Sequence, residues 1–159
     1  MSKARLVLWL PAAVLFIGLI WFAQHAIFVG LWPMERTELV PDAQQMGTYA
    51  RLLNMSFPAS TRPIKVLYID CREDAMWLKL EIAREDIPAL IAASPFAGEE
   101  LSDTRKSIRE DFGLDWWDPD SVKTFQSGET VIPYLDRLNI LIDTGIEGKA
   151  IVYLEWLQT

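Results

Sequence analysis

The pattern of apolar and polar positions divides the chain into one long apolar run and a mixed remainder. Residues 6–32 are 27 consecutive positions without a charged side chain, and most of them are apolar. As an α-helix, at about 1.5 Å per residue, this run would reach ~40 Å, which exceeds the roughly 30 Å hydrocarbon core of a bilayer. A cleaved signal peptide has a shorter apolar core and a small-x-small cleavage site, which does not stand out here. The pattern therefore predicts one uncleaved transmembrane helix.

Helical spacing returns twice in the remainder of the chain. Apolar side chains recur at that spacing in residues 46–53, and Asp42 can cap the helix that they predict. A shorter helix is expected after Asp86, with Pro88 in its first turn. Residues 101–112 are rich in charge and indicate a surface helix or an ordered loop.

Four segments have the pattern of β-strands. Residues 64–71 are rich in β-branched and aromatic side chains, and residues 76–82 alternate as in a half-buried strand, with Trp77 on the polar side. Residues 138–142 and 149–157 repeat this arrangement around a glycine-containing turn. Short links favour antiparallel hairpins. The prediction is an α+β domain in which helices cover one face of a four-stranded, mainly antiparallel sheet.

Charge orients the predicted span. Lys3 and Arg5 precede it, whereas Glu35 and Glu38 follow it, so the positive-inside rule puts the N-terminus in the cytoplasm. The rest of the chain after the span is therefore expected outside the cytoplasm. The predicted parts are a cytoplasmic stub (1–5), the transmembrane helix (6–32), a linker (33–41) and an extracytoplasmic α+β domain (42–159).

The charge balance limits the possible partners. All 22 acidic residues and 13 of the 15 basic residues follow the apolar run. Such an acidic surface repels nucleic acid and anionic lipid headgroups, so no nucleic-acid partner is expected. The single cysteine, Cys71, cannot form a disulfide within the chain. It is interpreted as a small buried apolar residue, and pairing between chains is the alternative.

Candidate catalytic groups are scarce. The only histidine, His25, lies inside the apolar run, so the outer domain cannot assemble a Ser-His-Asp or Cys-His set or a histidine-based metal site. The pairs Glu99-Glu100 and Glu110-Asp111 could serve a carboxylate hydrolase, but in an acidic chain they are interpreted as a solvated face. We therefore expect a protein that is not an enzyme and has no cofactor.

One acidic segment has partial calcium-loop spacing. Positions one, three and twelve of such a loop are filled by Asp118, Asp120 and Glu129. However, Val122 stands at position five, and Lys123 stands where the turn needs glycine. A short helix from Asp118 through Val122 and Phe125 is the preferred interpretation.

The most distinctive motif outside the apolar run is a tryptophan pair. Trp116 and Trp117 are adjacent and flanked by aspartates. Two neighbouring indoles do not both fit easily into one small core, and the preferred interpretation is that both cap an open end of the sheet. The alternative is that one is buried and the other contacts a partner surface or the bilayer interface; the flanking aspartates disfavour lipid, so a protein partner is expected in that case.

Aromatic and imidazole side chains inside the apolar run are further candidates for partner contact. His25 lies toward the outer end of the span, with Trp21 one turn before it and Trp32 at the interface. The imidazole is expected to reach interfacial water. A bond to a neighbouring helix, or axial ligation of a tetrapyrrole such as haem, is the less favoured alternative, because Trp21 would crowd a macrocycle.

Three short motifs carry a family resemblance. The motifs Trp116-Trp117-Asp118-Pro119, Leu141-Ile142-Asp143 and Val152-Tyr153-Leu154-Glu155 resemble segments of small single-span bacterial cell-envelope proteins of unknown function. This resemblance implies a location in the bacterial cytoplasmic (inner) membrane, with the C-terminal domain in the periplasm or otherwise extracytoplasmic. It assigns no activity and no active site.

Together these features predict a non-catalytic accessory or structural subunit. It would sit in the lipid bilayer and dock on an integral membrane protein complex, for example of the respiratory or photosynthetic type. The alternative is a tethered extracytoplasmic module that binds or senses a small ligand in an apolar pocket between sheet and helices.

Overall fold

A computed structural model of the chain describes residues 35–70, 73–108, 113–133 and 136–158. The predicted stub, the predicted span with Trp21, His25 and Trp32, and Cys71 lie outside these residues. Among the described residues, no helix is both long enough and apolar enough to cross a membrane.

The described residues form one six-stranded antiparallel sheet in the order β1-β2-β3-β6-β5-β4. The central strands are β3 and β6, and β1 and β4 are the edges. The strands are β1 (Glu35–Leu39), β2 (Arg62–Asp70), β3 (Ala75–Ala83), β4 (Phe125–Val131), β5 (Arg137–Asp143) and β6 (Lys149–Leu157).

The predicted four-stranded α+β fold is wrong, because the described chain is mostly β and its sheet has two more strands. β1 lies in the predicted linker, and β4 starts at Phe125, where a helix was expected. Only a 3₁₀ turn, Pro119–Ser121, precedes β4. Both missed strands are edges with polar sequences, Glu-Arg-Thr-Glu-Leu and Phe-Gln-Ser-Gly-Glu-Thr-Val, and therefore lack the apolar alternation of a buried strand.

Only two α-helices are described, and both are short: α1 (Ala43–Leu52) and α2 (Ile87–Ala92). The predicted cap of α1 is confirmed, because Asp42 accepts a hydrogen bond from the Gln45 backbone and the Gln45 side chain accepts one from Asp42. Asp86 precedes α2 but makes no capping bond; its carboxylate accepts a hydrogen bond from Ser60 instead.

One face of the sheet, here called the helix face, packs against the helices. Val66, Leu78 and Leu154 point to this face, and Leu53 and Leu90 from the helical segments cover it. All five side chains are fully buried. This contact supplies the larger of two apolar clusters.

The opposite face, here called the loop face, is covered by Ile108 and residues 113–122, which contain no α-helix. Trp77 and Tyr153 point to it and are 2 % exposed. The expectation that Trp77 lies on an exposed side of a half-buried strand is therefore wrong. The covering segment has no apolar periodicity that could have shown this second layer.

A candidate interaction surface around Trp116

The two adjacent tryptophans occupy different environments. The Trp117 ring is 2 % exposed and packs edge-to-face against Tyr153, with centroids 5.3 Å apart. Trp116 is half-buried and meets Trp117 edge-to-face at 5.7 Å. One indole therefore belongs to the loop-face cluster, while part of the other remains accessible.

The Trp116 backbone is fastened to the sheet by Lys79. The Lys79 ammonium donates to the Trp116 carbonyl at 2.8 Å and forms an ion pair with Asp118. Tyr153 donates its hydroxyl to Asp118 at 2.8 Å, and the Lys79 ammonium lies 4.9 Å from the Tyr153 ring centroid. These contacts hold both ends of the tryptophan pair against β3 and β6.

The same contacts move two pKa values in opposite directions. Partial burial opposes ionisation of Asp118, but hydrogen bonds from Lys79 and Tyr153 outweigh it and hold the pKa of Asp118 below its ordinary value of 3.8. Burial, followed by the bond to Asp118, raises the pKa of Tyr153 far above its ordinary value. Tyr153 therefore remains a neutral donor throughout the physiological pH range.

The Trp116 indole reaches the edge strand β1. Its Nε1 donates to Glu38 at 3.0 Å, and Glu38 also forms an ion pair with Lys65 at 2.6 Å. Lys65 lies 5.9 Å from the Trp116 ring centroid, and Arg36 lies 3.7 Å from Glu38. The Lys65 hydrogen bond is the main cause that holds the pKa of Glu38 below its ordinary value.

These residues line a shallow depression of about 320 Å³. We call it the Trp116 surface; its lining residues are Arg36, Glu38, Lys65, Gly113, Leu114, Asp115 and Trp116. It combines an aromatic ring in a fixed orientation with charges of both signs. Such an arrangement can contact another protein by stacking and by ion pairing.

The acidic residues of the suspected calcium loop have other roles. Asp118 is occupied by Lys79 and Tyr153, and Glu129 pairs with Arg137 at 3.4 Å on β4 and β5. In the described ranges, no three histidine, cysteine or carboxylate side chains form a possible metal site.

Of the two acid pairs, the structure describes Glu99-Glu100. Glu99 accepts a hydrogen bond from Thr130 at 3.0 Å. Glu110 and Asp111 lie outside the described residues. Glu99 and Glu100 are exposed and line a depression of about 480 Å³ together with Glu129, which is paired with Arg137. The interpretation of the pair as a solvated face stays a prediction.

A second polar cluster lies inside the loop face and was not expected from the sequence. Glu155 is 1 % exposed and accepts hydrogen bonds from Trp77 Nε1 at 3.2 Å and Asn139 Nδ2 at 2.7 Å. The three residues stand directly opposite one another on β3, β6 and β5. Alternation along each strand could suggest a shared face, but only the register shows that they meet.

An apolar groove of about 510 Å³ lies between α1 and residues 56–63. Its lining includes Met46, Ala50, Phe57 and Pro58. It lies on the helix face, whereas Trp116 packs on the loop face, and it offers mainly apolar contacts.

No protein-family model matches this chain, and neither a curated protein nor a solved structure matches it. The resemblance to single-span envelope proteins therefore stays a prediction, and function has to be argued from the side chains described above.

Proposed function

We propose that this protein is a membrane-anchored, non-catalytic accessory subunit that docks on a larger membrane protein complex through the Trp116 surface. The apolar run 6–32 would be the anchor, with the N-terminus in the cytoplasm and the β-domain outside it. Complexes of the respiratory or photosynthetic type are candidates for the partner.

The observation that carries this proposal is the fixed, half-buried indole of Trp116. A tryptophan side chain offers a large contact area, and little conformational entropy is lost on docking when the ring is already held. Lys79 holds its backbone and Glu38 holds its Nε1, so the ring is prepared for contact.

The position of the surface in the sequence supports a membrane partner. Only Pro33 and Met34 separate the predicted span from β1, which contributes Arg36 and Glu38 to the surface. A short connection to the bilayer favours a partner that is itself a membrane protein.

The test uses the full-length chain, extracted in mild detergent and analysed by co-purification and native sizing. We expect the wild-type chain to migrate with one or more integral membrane proteins and Trp116→Ala to lose them. Phe57→Ala is the matched control, because Phe57 is a partly buried aromatic residue at the α1 groove, on the opposite face of the sheet from Trp116. Migration of the wild type as a lone monomer under all conditions, or retention of the partner by Trp116→Ala, would refute the proposal.

The alternative, a tethered small-ligand module, is favoured by the α1 groove. The space between sheet and helices, where the pocket was expected, is filled by Leu53, Leu90 and Phe96, all fully buried. Open depressions remain at the α1 groove and, with a volume of about 600 Å³, beside Ile87, Ile91 and Gln126; the α1 groove has the more apolar lining. Gly47 has no atom within 4 Å of an added Cβ, so Gly47→Leu can fill the groove. If this alternative is right, wild-type protein binds an apolar dye such as anilinonaphthalene sulfonate and Gly47→Leu binds it more weakly.

A further inference from the structure

The two edge strands of the sheet, β1 and β4, differ in their neighbours. At one edge, Ser102 forms a bridge with Ser127 of β4, and their backbones exchange hydrogen bonds of 2.7 and 2.8 Å. At the other edge, among the described residues, β1 pairs with β2 alone. An edge strand with one neighbour presents backbone donors and acceptors that can pair with another strand.

The sequence of β1 is complementary to itself in charge. If a second copy of β1 pairs antiparallel about a two-fold axis at Thr37, Arg36 of each copy stands directly opposite Glu38 of the other. Residues directly opposite in an antiparallel pair share a face and interact most strongly. The symmetry therefore creates two opposite-charge pairs from one short strand.

Neighbouring registers lose this complementarity. A pairing shifted one residue toward the N-terminus places Glu35 opposite Glu38, and a shift of two residues places Arg36 opposite Arg36. A shift of two residues in the other direction places Glu38 opposite Glu38. Among the registers that pair at least three of the five β1 residues, only the one centred on Thr37 pairs opposite charges, so the strand favours this alignment.

We propose that two copies of this chain dimerise through β1 in this register, joining two six-stranded sheets into one of twelve strands. The interface is isologous, as in most symmetric dimers. Arg36 and Glu38 point to the loop face with Trp116, so both copies present their Trp116 surfaces on one continuous face. The dimer requires no partner protein and does not rest on the proposed docking function, although Arg36 and Glu38 also line the Trp116 surface.

The first test is disulfide cross-linking of Thr37→Cys in a Cys71→Ser background, with the full-length chain in isolated membranes. In the proposed register, the two Thr37 Cα atoms lie about 4.5 or 5.5 Å apart, depending on the type of antiparallel pair. Both values fall within the roughly 4.4–6.8 Å range of disulfides. The matched control is Thr48→Cys, an exposed threonine on α1. We expect rapid formation of a covalent dimer for Thr37→Cys and at least about tenfold slower formation for the control.

The second test exchanges charges in the Thr37→Cys background, with a different size tag on each chain. Arg36→Glu puts Glu opposite Glu, and Glu38→Arg puts Arg opposite Arg, so each variant alone should cross-link about tenfold less. Mixed together, the two variants match both charge pairs, and the mixed dimer should form at the wild-type level. Recovery in the mixture also shows that Glu38→Arg has kept its fold, although it loses the contacts of Glu38 with Lys65 and with Trp116 Nε1.

Equal cross-linking of the Thr37 and Thr48 cysteines would overturn the proposal, as would variants that cross-link equally alone and mixed. A Thr37 cysteine that links only to a different protein would also overturn it, and would assign β1 to a partner's strand. Loss of the partner by Trp116→Ala while the Thr37 cross-link persists supports both the dimer and the docking proposal.

Discussion

Replacement of Trp117 with alanine is expected to destabilise the β-domain severely. The ring is 2 % exposed, so nearly its whole surface is removed from water. A buried tryptophan contributes roughly 150–250 Å² of apolar area, which at about 25 cal/mol per Å² corresponds to ~4–6 kcal/mol. Relaxation of Tyr153 and Trp116 into the space would recover part of this loss. We therefore expect a decrease in unfolding free energy of about 3–5 kcal/mol, as found for large-to-small core substitutions.

The adjacent residue provides the matched comparison. Trp116→Ala removes a half-buried ring and the hydrogen bond to Glu38. Half of the apolar area assumed for Trp117 corresponds to ~2–3 kcal/mol, and relaxation at this accessible site recovers part of it, so we expect a loss of roughly 1–2 kcal/mol. Trp117→Phe should fall between the two alanine variants, because a smaller ring still packs against Tyr153.

The assay is urea unfolding of the full-length chain in mild detergent, followed by far-UV circular dichroism because tryptophan fluorescence changes with the substitutions. With a slope of about 2 kcal/mol per M, the midpoint should fall by ~2 M for Trp117→Ala and by less than ~1 M for Trp116→Ala. Equal shifts, or a larger shift for Trp116→Ala, would refute the assignment of Trp117 to the core and Trp116 to the surface.

Three further substitutions test the polar contacts and one turn. Asp118→Asn should remove a pH-dependent part of the stability. Because the pKa of Asp118 is depressed in the folded state, its contribution is present above its ordinary value of 3.8 and is lost as the pH falls through the lower folded pKa. The acid-unfolding curves of wild type and variant should therefore converge at low pH. Glu155→Gln should cost about 1–3 kcal/mol in urea unfolding, because a carboxamide cannot accept from both Trp77 and Asn139 in their present orientation. Gly148→Ala should cost about 1–2 kcal/mol in the same assay, because Gly148 has φ +73° in the turn between β5 and β6 and open space around it, so the cost is conformational rather than steric.

The central elements of the domain could be predicted from the sequence because their signals are local. Asp42 followed by Gln45 at the third position identifies the start of α1, and the bonds of that cap are present. The hairpins β2–β3 and β5–β6 are confirmed because their strands are apolar and their links are short. These strands lie inside the sheet, where burial on at least one face imposes a recognisable pattern.

The edges and the second layer could not be predicted because their signals are not local. β1 has a single aliphatic residue, Leu39, and β4 contains Gly128, whose added Cβ would lie 2.6 Å from Leu101. Close approach of Leu101, and not strand propensity, therefore favours glycine at this position. Trp77 alternates with apolar neighbours like an exposed residue, yet an irregular segment covers it. Tertiary contact overrides the pattern in both cases.

The same difference between local and non-local signals applies to the candidate site. It explains why the Trp116 surface could be suspected from the sequence although its geometry could not be predicted. The tryptophan pair is conspicuous as a motif, whereas Lys79 and Tyr153, which fix its orientation, are ordinary residues until the β3–β6 register places them directly opposite each other. That register brings the Lys79 ammonium and the Tyr153 hydroxyl to one carboxylate, Asp118. These contacts fix the direction of the chain after Trp117. The buried Trp117 ring and the contacts of Lys79 and Tyr153 with Asp118 hold the same short segment. The exposure of Trp116 is therefore a consequence of core packing. A substitution that breaks the contacts of Asp118 with Lys79 and Tyr153 should therefore weaken docking, although it leaves the Trp116 indole in place.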